Sequence, residues 1–413
     1  MRFQASTIWD RLAALGNGSG ALPVRADLVV ALARCWIAVA ALYLAFNFAT
    51  HLRDGWTDGA GEPLGADFLN NWAAAVLAWS GRASAVYDWR TFHEFQKSIV
   101  GAGLDFYHYS YPPVALLLTA PLALVPYPAG LALWLGASWL AFFAALRLAL
   151  PMGALLLALA TPAVFVNAIG GQNGAWSAAL MGGGLCLLRR RPAVAGMLFG
   201  LLVYKPQLAL LIPVALAAGR QWTAFASSAV TACVLAALSV AIFGFEIWGD
   251  YLRNASILRE AILEHGSGVW HRMMSVFVFA RRLGLDATGA YVAQALVALP
   301  VAAAVAYVWF RGAPERLRCS LLVLGTFLVT PYLQDYDLVA GAFVVAWLMA
   351  EARETPRRHG TAFIVSALVL IGPLVMAPLG KLTGFSAGPL FLLPAFILTL
   401  AMALSRRAPP QEP

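Results

Sequence analysis

The sequence predicts an all-α polytopic membrane protein. Of its 413 residues, 61% are hydrophobic and only 12% are charged, roughly half the charged fraction of an average soluble domain. Apolar runs long enough to cross a bilayer recur along the whole chain. Because a bilayer interior offers the backbone no water, we expect these runs to form helices, which satisfy their own hydrogen bonds.

Arginine supplies almost all of the positive charge. The formal net charge is +8, and lysine occurs only at Lys97, Lys205 and Lys381. Since the arginines lie in short loops between apolar runs, they indicate membrane orientation, and no nucleic acid partner is predicted. The four cysteines lie in or beside apolar runs without metal-ligand spacing, so we predict neither a metal site nor a disulfide there.

The chain begins with a polar head at 1–26 and a first span at 28–49. The longest polar segment, 50–110, follows, and the basic inner flank of the first span predicts that it is the first external loop. The tail at 405–413 is predicted to lie in the cytoplasm with the head. Further apolar segments lie at 112–126, 129–149, 152–169, 174–188, 193–204, 206–218, 222–243, 288–310, 316–330, 338–350, 361–377 and 388–404.

Arginines mark the cytoplasmic loops. Their positions place both ends of the chain inside, yet the apolar segments number thirteen, so one of them does not cross. The candidate is 112–126, because it is short and carries four prolines. About twelve transmembrane helices remain. The marking arginines are Arg189–Arg191, Arg220, Arg311, Arg316, Arg318, Arg353, Arg357, Arg358, Arg406 and Arg407.

Asp67 begins a helical pattern in the first external loop. An apolar and aromatic stripe at helical spacing runs from Phe68 to Trp79, and Gly81 follows where such a helix would stop. This predicts an interfacial helix with its tryptophans at headgroup level and Asp67 at its positive end. The alternative is that Asp67 only caps the helix.

Other polar groups are predicted on the same external side, because the opposite ends of their spans carry arginines. Ionisable groups at membrane depth are costly, so they usually have a partner or a function. Together with Asp67 they predict a site of carboxylates, one lysine and amide donors. These groups are Gln172, Asn173, Lys205, Asp335 and Asp337.

Two cations are candidates for binding a phosphate. Lys205 interrupts an apolar stretch, precedes Pro206 and has no acidic neighbour in sequence. It either extends to the lipid headgroups or binds an anionic ligand. Arg272 ends a polar, glycine-broken external segment and either holds a phosphate or anchors a short helix to headgroups. The histidines of that segment, His265 and His271, lack metal-ligand spacing, so no zinc site is predicted.

Asp335 and Asp337 lie two residues apart, with Tyr332 and Tyr336 nearby. These carboxylates can chelate a metal, orient an acceptor hydroxyl or cap the next helix. Metal dependence therefore stays open at this point, although no cofactor is predicted.

Short motifs follow one another along the first half of the chain, and their order is more specific than any one of them. They are Asp67 with Gly81 and Tyr87-Asp88, Tyr109-x-Tyr111-Pro-Pro113, Gly171-Gln-Asn173, Leu187-Leu-Arg-Arg190, Ala195-Gly-x-x-x-Gly-Leu201 and Lys205-Pro206.

This ordered set resembles the family 87 glycosyltransferases, which are polytopic membrane enzymes of the GT-C class. The resemblance covers nearly the whole chain and implies a GT-C fold in one integral membrane domain, 1–413. It implies a polyprenyl-phosphate-sugar donor, typically polyprenyl-phosphate-mannose, and an envelope lipid or glycan acceptor. The site would face the external, periplasmic side of a bacterial inner membrane, among membrane lipids.

The resemblance also implies a role for Asp67, which would be the catalytic base. Residue type and position make Lys205 and Arg272 the candidates for binding the donor phosphate. Some family members carry Ser-Pro and paired histidines before a late span, whereas here Thr330–Asp337 has no histidine, so no acceptor is assigned. The donor and acceptor cavity would be lined by Tyr111, Gln172, Asn173, His271, Tyr332, Asp335 and Asp337.

This chemistry suits the residue types. Phosphate is a good leaving group, so transfer needs a base for the acceptor hydroxyl and a cation for the departing phosphate. We favour direct, inverting displacement, because a second carboxylate acting as nucleophile would imply a covalent intermediate and retention.

Two other classes of function stay open from the sequence. One is a transporter or lipid flippase, against which stand the long external loop and the absence of an evident internal repeat. The other is a non-catalytic protein of envelope assembly, in which Asp67, Lys205 and Asp335 would contact only one another or lipid. Convergence of these residues on one cavity would favour the enzyme.

Overall fold

The computed structural model of the chain describes residues 26–53, 56–58, 61–266 and 268–405. Nearly all of the predicted cytoplasmic head and of the predicted tail lies outside these ranges.

Most of the described residues are helical, and this confirms the all-α class. Only isolated backbone bridges, between Thr57 and Pro63 and between Met273 and Gln334, give extended pairing within these ranges. The α-helices are Ala26–Arg53 (α1), Phe68–Trp79 (α2), Trp89–Val100 (α3), Pro113–Thr119 (α4), Tyr127–Ala149 (α5), Ala154–Ala160 (α6), Pro162–Ile169 (α7), Gly174–Leu187 (α8), Pro192–Leu201 (α9), Leu211–Ala218 (α10), Trp222–Phe243 (α11), Glu246–Leu258 (α12), Val276–Arg282 (α13), Ala287–Phe310 (α14), Glu315–Val329 (α15), Gly341–Glu354 (α16), His359–Thr383 (α17) and Gly388–Leu404 (α18).

Short helices of other kinds join these elements, most often next to a proline or beside the polar site. The 3-10 helices are Ala83–Tyr87, Ala120–Leu124, Leu202–Tyr204, Pro206–Leu208, Trp270–Arg272, Asp335–Ala340 and Pro356–Arg358, and Arg259–Glu264 is a π-helix.

Helices α1, α5, α11, α14 and α17, the last with the short helix before it, are long and apolar enough to cross a bilayer. Several other predicted spans are shorter or divided. The segment 152–169 breaks into α6 and α7, because Pro162 has no N–H to continue a helix and starts a new one. The segment 112–126 ends its α-helix at Thr119 and continues as a 3-10 turn with Pro121. The number of crossing helices stays a prediction.

Helix α2 lies where the sequence predicts it, immediately after Asp67. Its less buried face carries Trp72, Val76 and Trp79, which belong to the predicted aromatic stripe, and protein covers the other faces. The indole of Trp72 donates a hydrogen bond to the carbonyl of Val125 at 3.0 Å. Helix α2 is therefore held by the protein on most sides, and its contact with lipid stays a prediction for this one face.

Close packing of α8 against Asp335–Ala340 brings distant parts of the chain together. Helix α8 begins at Gly174, where a Cβ would collide with the carbonyl oxygen of Tyr336. Only glycine allows this approach, and the residues just before it, Gln172 and Asn173, therefore lie beside the two carboxylates of that 3-10 helix.

Candidate active site

Polar side chains from separate parts of the chain meet in two adjoining networks. The Arg272 network consists of Asp67, Gln172, Arg272 and Asp335. The Lys205 network consists of Tyr111, Asn173, Lys205 and Asp337. The structure thus brings together most of the groups that the sequence predicts for one external site.

Asp67 is the most accessible carboxylate of these networks, with 28% of its side chain exposed. Its Oδ2 accepts hydrogen bonds from Nε2 of Gln172 and, at 3.3 Å, from Nη1 of Arg272. The side chain makes no capping hydrogen bond to α2, although Asp67 is the residue before its first turn. The helix-cap alternative is therefore wrong, and Oδ2 is tied to the network.

Two glycines with left-handed backbones place Asp67 against Gln172. Gly65 has φ +66° and Gly171 has φ +63°, a region that side-chain-bearing residues rarely adopt. At Gly171 a Cβ would collide with Phe68, so the two chain segments approach through glycine. The backbone N–H of Asp67 then donates to the carbonyl of Gly170 at 3.0 Å.

Arg272 bridges two carboxylates. Its Nε and Nη2 donate to Asp335 at 3.1–3.3 Å, and its Nη1 donates to Asp67. Burial alone would lower the pKa of Arg272, but the carboxylates of Asp335 and Asp67 raise it above its ordinary value. Since a guanidinium has five N–H groups and this network uses three, Arg272 keeps two donors for a ligand.

Asp335 is the buried one of the two carboxylates that pair with Arg272, and 1% of its surface is exposed. Burial raises the pKa of its carboxyl, while the guanidinium of Arg272 and the backbone N–H of Tyr336 oppose the rise. Removing Arg272 would therefore leave a carboxyl that favours the protonated form.

Lys205 is fully enclosed, with 1% exposure, so it does not extend to lipid headgroups. Its ammonium donates to Asp337 and, at 3.1 Å, to Oδ1 of Asn173, and it lies 4.6 Å from the centroid of the Tyr336 ring. Asp337 also accepts from the backbone N–H of Gln334 at 3.1 Å. One oxygen of Asp337 thus caps its 3-10 helix, and the other balances the charge of Lys205.

Tyrosines that the sequence does not assign to the site join the networks. The ring of Tyr336 lies close to both cations, with its centroid 5.5 Å from the guanidinium carbon of Arg272 and 4.6 Å from the ammonium of Lys205. The hydroxyl of Tyr204 donates to the carbonyl of Asn173 at 3.3 Å and shares a 2.6 Å hydrogen bond with Ser177. Tyr204 directly precedes Lys205, and this adjacency is the one sequence signal that marks it.

Tyr111 and Tyr332 lie at the site, as predicted for cavity residues. The hydroxyl of Tyr111 accepts from Nδ2 of Asn173 at 2.7 Å. Burial raises the pKa of Tyr332 to about 12, and the negative charges of Asp67 and Asp337 add to the rise. Both hydroxyls are therefore neutral donors at neutral pH.

His271 is the predicted cavity residue that the networks do not include. It packs against Gly380 near the end of α17, where a Cβ would lie 2.8–3.0 Å from its atoms. Burial lowers the pKa of its imidazole, and the charge of Lys381 adds to this effect. His271 is thus neutral at neutral pH and borders the site instead of bonding to it.

A cavity of about 290 Å³ opens beside the networks. Tyr332 and Ser110 connect it to the site, and the π-helix contributes Arg259, Ile262 and Leu263 to its wall. π-helical turns are frequent at functional sites, because they re-aim side chains that an α-helix would space regularly. The wall is mainly apolar with one cation.

The described residues contain no group of three or more His, Cys, Asp or Glu side chains arranged to hold a metal ion. In the networks each carboxylate instead faces a cation. Asp67, Asp335 and Asp337 carry three formal negative charges against the two positive charges of Lys205 and Arg272, a balance of −1.

Comparison with known proteins gives one family. The model described as Glycosyltransferase family 87 matches residues 109–331, which is more than half of the chain. The match includes Tyr111, Gln172, Lys205 and Arg272, whereas Asp67 precedes it. No curated protein and no solved structure gives a significant match.

Proposed function

Because this chain belongs to glycosyltransferase family 87 and is a membrane glycosyltransferase, we propose that it moves mannose from a polyprenyl-phosphate donor to an envelope lipid or glycan. Family membership confirms the resemblance predicted from the motifs. It also sets aside the transporter, flippase and assembly-protein alternatives. The observation that supports the proposed site is the Arg272 network, which joins one accessible carboxylate to a partly accessible guanidinium.

Asp67 is the proposed base. Since its Oδ2 already accepts from Gln172 and Arg272, its Oδ1 would receive the acceptor proton. The acceptor oxygen forms a bond to the anomeric carbon, and the bond between that carbon and the donor phosphate oxygen breaks. The phosphate keeps the electron pair and leaves on the lipid, while Asp67 takes the proton. Attack opposite to the leaving group inverts the anomeric configuration.

Arg272 is the proposed phosphate contact. Lys205 is proposed to hold Asp337 in place in the adjoining network. Arg272 has 24% of its side chain exposed and two N–H groups that the network leaves free. The ammonium of Lys205 is enclosed by Asp337, Asn173 and the Tyr336 ring. A phosphate would have to break that buried pair to touch Lys205, so the direct contact predicted from the sequence is the less favourable arrangement.

The charge balance of the site supports a protonated Asp335 during donor binding. The networks already carry a formal −1, and a lipid phosphodiester adds another negative charge. Burial raises the pKa of the Asp335 carboxyl, and a phosphate on the two free N–H groups of Arg272 offsets part of the positive charge that opposes this rise. We therefore propose that Asp335 takes up a proton as the phosphate engages Arg272.

The 290 Å³ cavity suits the lipid part of the donor. Its apolar wall of Leu258, Ile262 and Leu263 lies next to Tyr332, and Arg259 stands at the same wall. We propose that the first prenyl units lie there, with the sugar toward Asp67. The arginine pattern supports a site on the external, periplasmic face of a bacterial inner membrane, in one domain that spans the chain.

The direct test is incubation of the purified protein with labelled polyprenyl-phosphate-mannose and a membrane lipid extract, followed by mass spectrometry of the products. We expect a new mannosylated lipid or glycan that forms only with active protein. If the label stays on the donor with every extract and with every polyprenyl-phosphate sugar tried, the proposed donor class is wrong.

Arg272→Lys should raise KM for the donor about tenfold, with a smaller change in kcat. Lysine keeps the charge but loses the planar fork, and one charged hydrogen bond contributes about 1.5–3 kcal/mol. Arg282→Lys is the matched control, because Arg282 lies in the following helix and stacks on Trp270 away from the networks. An unchanged KM in Arg272→Lys, measured in initial-rate assays, would contradict the phosphate contact.

A further inference from the structure

A second cavity lies at the far end of the helices that carry the site. Helix α8 runs from Gly174, beside the Lys205 network, to Leu187, and its 14 residues span about 21 Å. The cavity has a volume of about 310 Å³ and lies where α8 and α10 end and α9 and α11 begin. Its lining includes Leu188, Arg189, Pro192, Arg220, Gln221 and Trp222.

Two arginines from different loops give this cavity a positive wall. Arg189 pairs with Glu315 at 3.0 Å, but both side chains are exposed, so water and salt weaken the pair. Arg220 forms no ion pair with any described residue. A concave site with two guanidinium groups, only one of which is paired with an exposed carboxylate, is suited to an anion that carries oxygen atoms, above all a phosphate.

The backbone at Arg220 is one that glycine normally occupies. Its φ is +54°, and the turn is closed by bonds from Arg220 N–H to Ala217 and from Gln221 N–H to Leu216, at 3.1 and 2.8 Å. Such a helix end favours glycine, because a Cβ is strained there. Arg220→Gly therefore removes the guanidinium without disturbing the turn. A change in ligand binding in this variant can then be assigned to the loss of the guanidinium.

The surroundings indicate a lipid. Trp222 is 59% exposed beside the two arginines, as expected for an indole at headgroup level. Exposed apolar side chains continue from the cavity along α9 and α11, at Val194, Met197, Val230 and Val234. A headgroup phosphate on the arginines would place acyl chains along this apolar surface.

We propose that this cavity binds the phosphate of an anionic phospholipid, such as phosphatidylglycerol, from the leaflet opposite to the active site. The arginines supply the charge, Trp222 marks the headgroup depth, and α9 and α11 contact the acyl chains. Basic pockets between helices on the cytoplasmic side bind such headgroups in membrane proteins generally. The proposal is independent of the sugar that the enzyme transfers.

The test is lipid retention by the purified full chain, measured by native mass spectrometry after mixing with equal phosphatidylglycerol and phosphatidylcholine. We expect phosphatidylglycerol to be retained preferentially. Arg220→Gly should reduce that retention about fivefold, the usual effect of one arginine at an anionic surface. Arg357→Gln, which removes an exposed arginine of another predicted cytoplasmic loop, should leave retention unchanged.

Two further measurements distinguish a lipid site from a loss of folding and from a site for soluble phosphate. In lipid-free detergent, Arg220→Gly should melt no lower than the original protein, because glycine suits the turn. Equal retention of both lipids, or unchanged retention in Arg220→Gly, would overturn the proposal. So would displacement of the lipid by inorganic phosphate alone, since this would mean that the cavity takes the free anion.

Discussion

Asp67→Asn should lower the rate of sugar transfer by roughly 100-fold or more while donor binding changes little, because this is the usual contribution of a general base. Asparagine keeps the shape of the side chain and can still accept from Gln172 and Arg272. It cannot take up the acceptor proton. The measurement is the initial rate of transfer by the purified variant, together with the affinity for the donor.

Asp67→Glu should also be impaired, although it keeps the carboxylate. The extra methylene moves the oxygens away from a position that Gly65 and Gly171 define, and proton transfer depends on hydrogen-bond reach. Asp88→Asn is the matched control in the same external loop. Asp88 caps α3 by accepting from the backbone N–H of Thr91 at 2.8 Å, and asparagine caps equally well.

Two outcomes would remove Asp67 from the mechanism. One is near-normal turnover in Asp67→Asn. The other is a rate loss that follows the loss of folded protein, as judged by thermal unfolding in detergent. The second outcome has to be measured, because Asp67→Asn also removes one of the two carboxylates that pair with Arg272.

Local patterns in the sequence predict many of the helices, whereas the side of the membrane stays a prediction. The span at 222–243 is found as Trp222–Phe243, and the helix after Asp67 is found as Phe68–Trp79. Both helices can be predicted from hydropathy and from residues that lie within one or two helical turns of each other. The continuous apolar run at 152–169 predicts one segment, whereas the structure divides it at Pro162, which cannot donate a backbone hydrogen bond.

The pairing of the polar groups depends on contacts that local patterns do not encode. Lys205 and Asp337 are 132 residues apart, and Arg272 and Asp67 are 205 residues apart. The arginine pattern predicts that these residues lie on one side of the membrane, but it leaves open whether Lys205 extends to lipid or binds a ligand. The close approach at Gly174, which brings α8 against Tyr336, depends on packing between distant helices.

Lys205→Met and Asp337→Asn should each destabilise the protein by about 3–5 kcal/mol, because each leaves one buried charge without its partner. Both side chains are almost wholly enclosed, so water cannot replace the lost ion. The double variant should be less destabilised than the sum of the two, by up to about 3 kcal/mol, because it removes both charges together. The measurement is the free energy of unfolding in detergent, obtained for all three variants under the same conditions.

The exposed pair of Lys97 with Glu94 is the matched control. Its atoms are 3.1 Å apart and its side chains are 30% and 72% exposed. Lys97→Met should therefore change stability by less than about 1 kcal/mol. This comparison separates the effect of burial from the effect of removing a lysine.

The same variants decide between the two roles of Lys205. If Lys205 holds Asp337 in place, Lys205→Met loses stability first, and the folded fraction retains most of its affinity for the donor. If Lys205→Met instead keeps normal stability and raises KM for the polyprenyl-phosphate sugar, the lysine contacts the phosphate directly, as the sequence alone predicted. In that case donor binding must open the buried pair, and Asp337→Asn should bind the donor more tightly, because the ammonium would no longer have to leave a carboxylate.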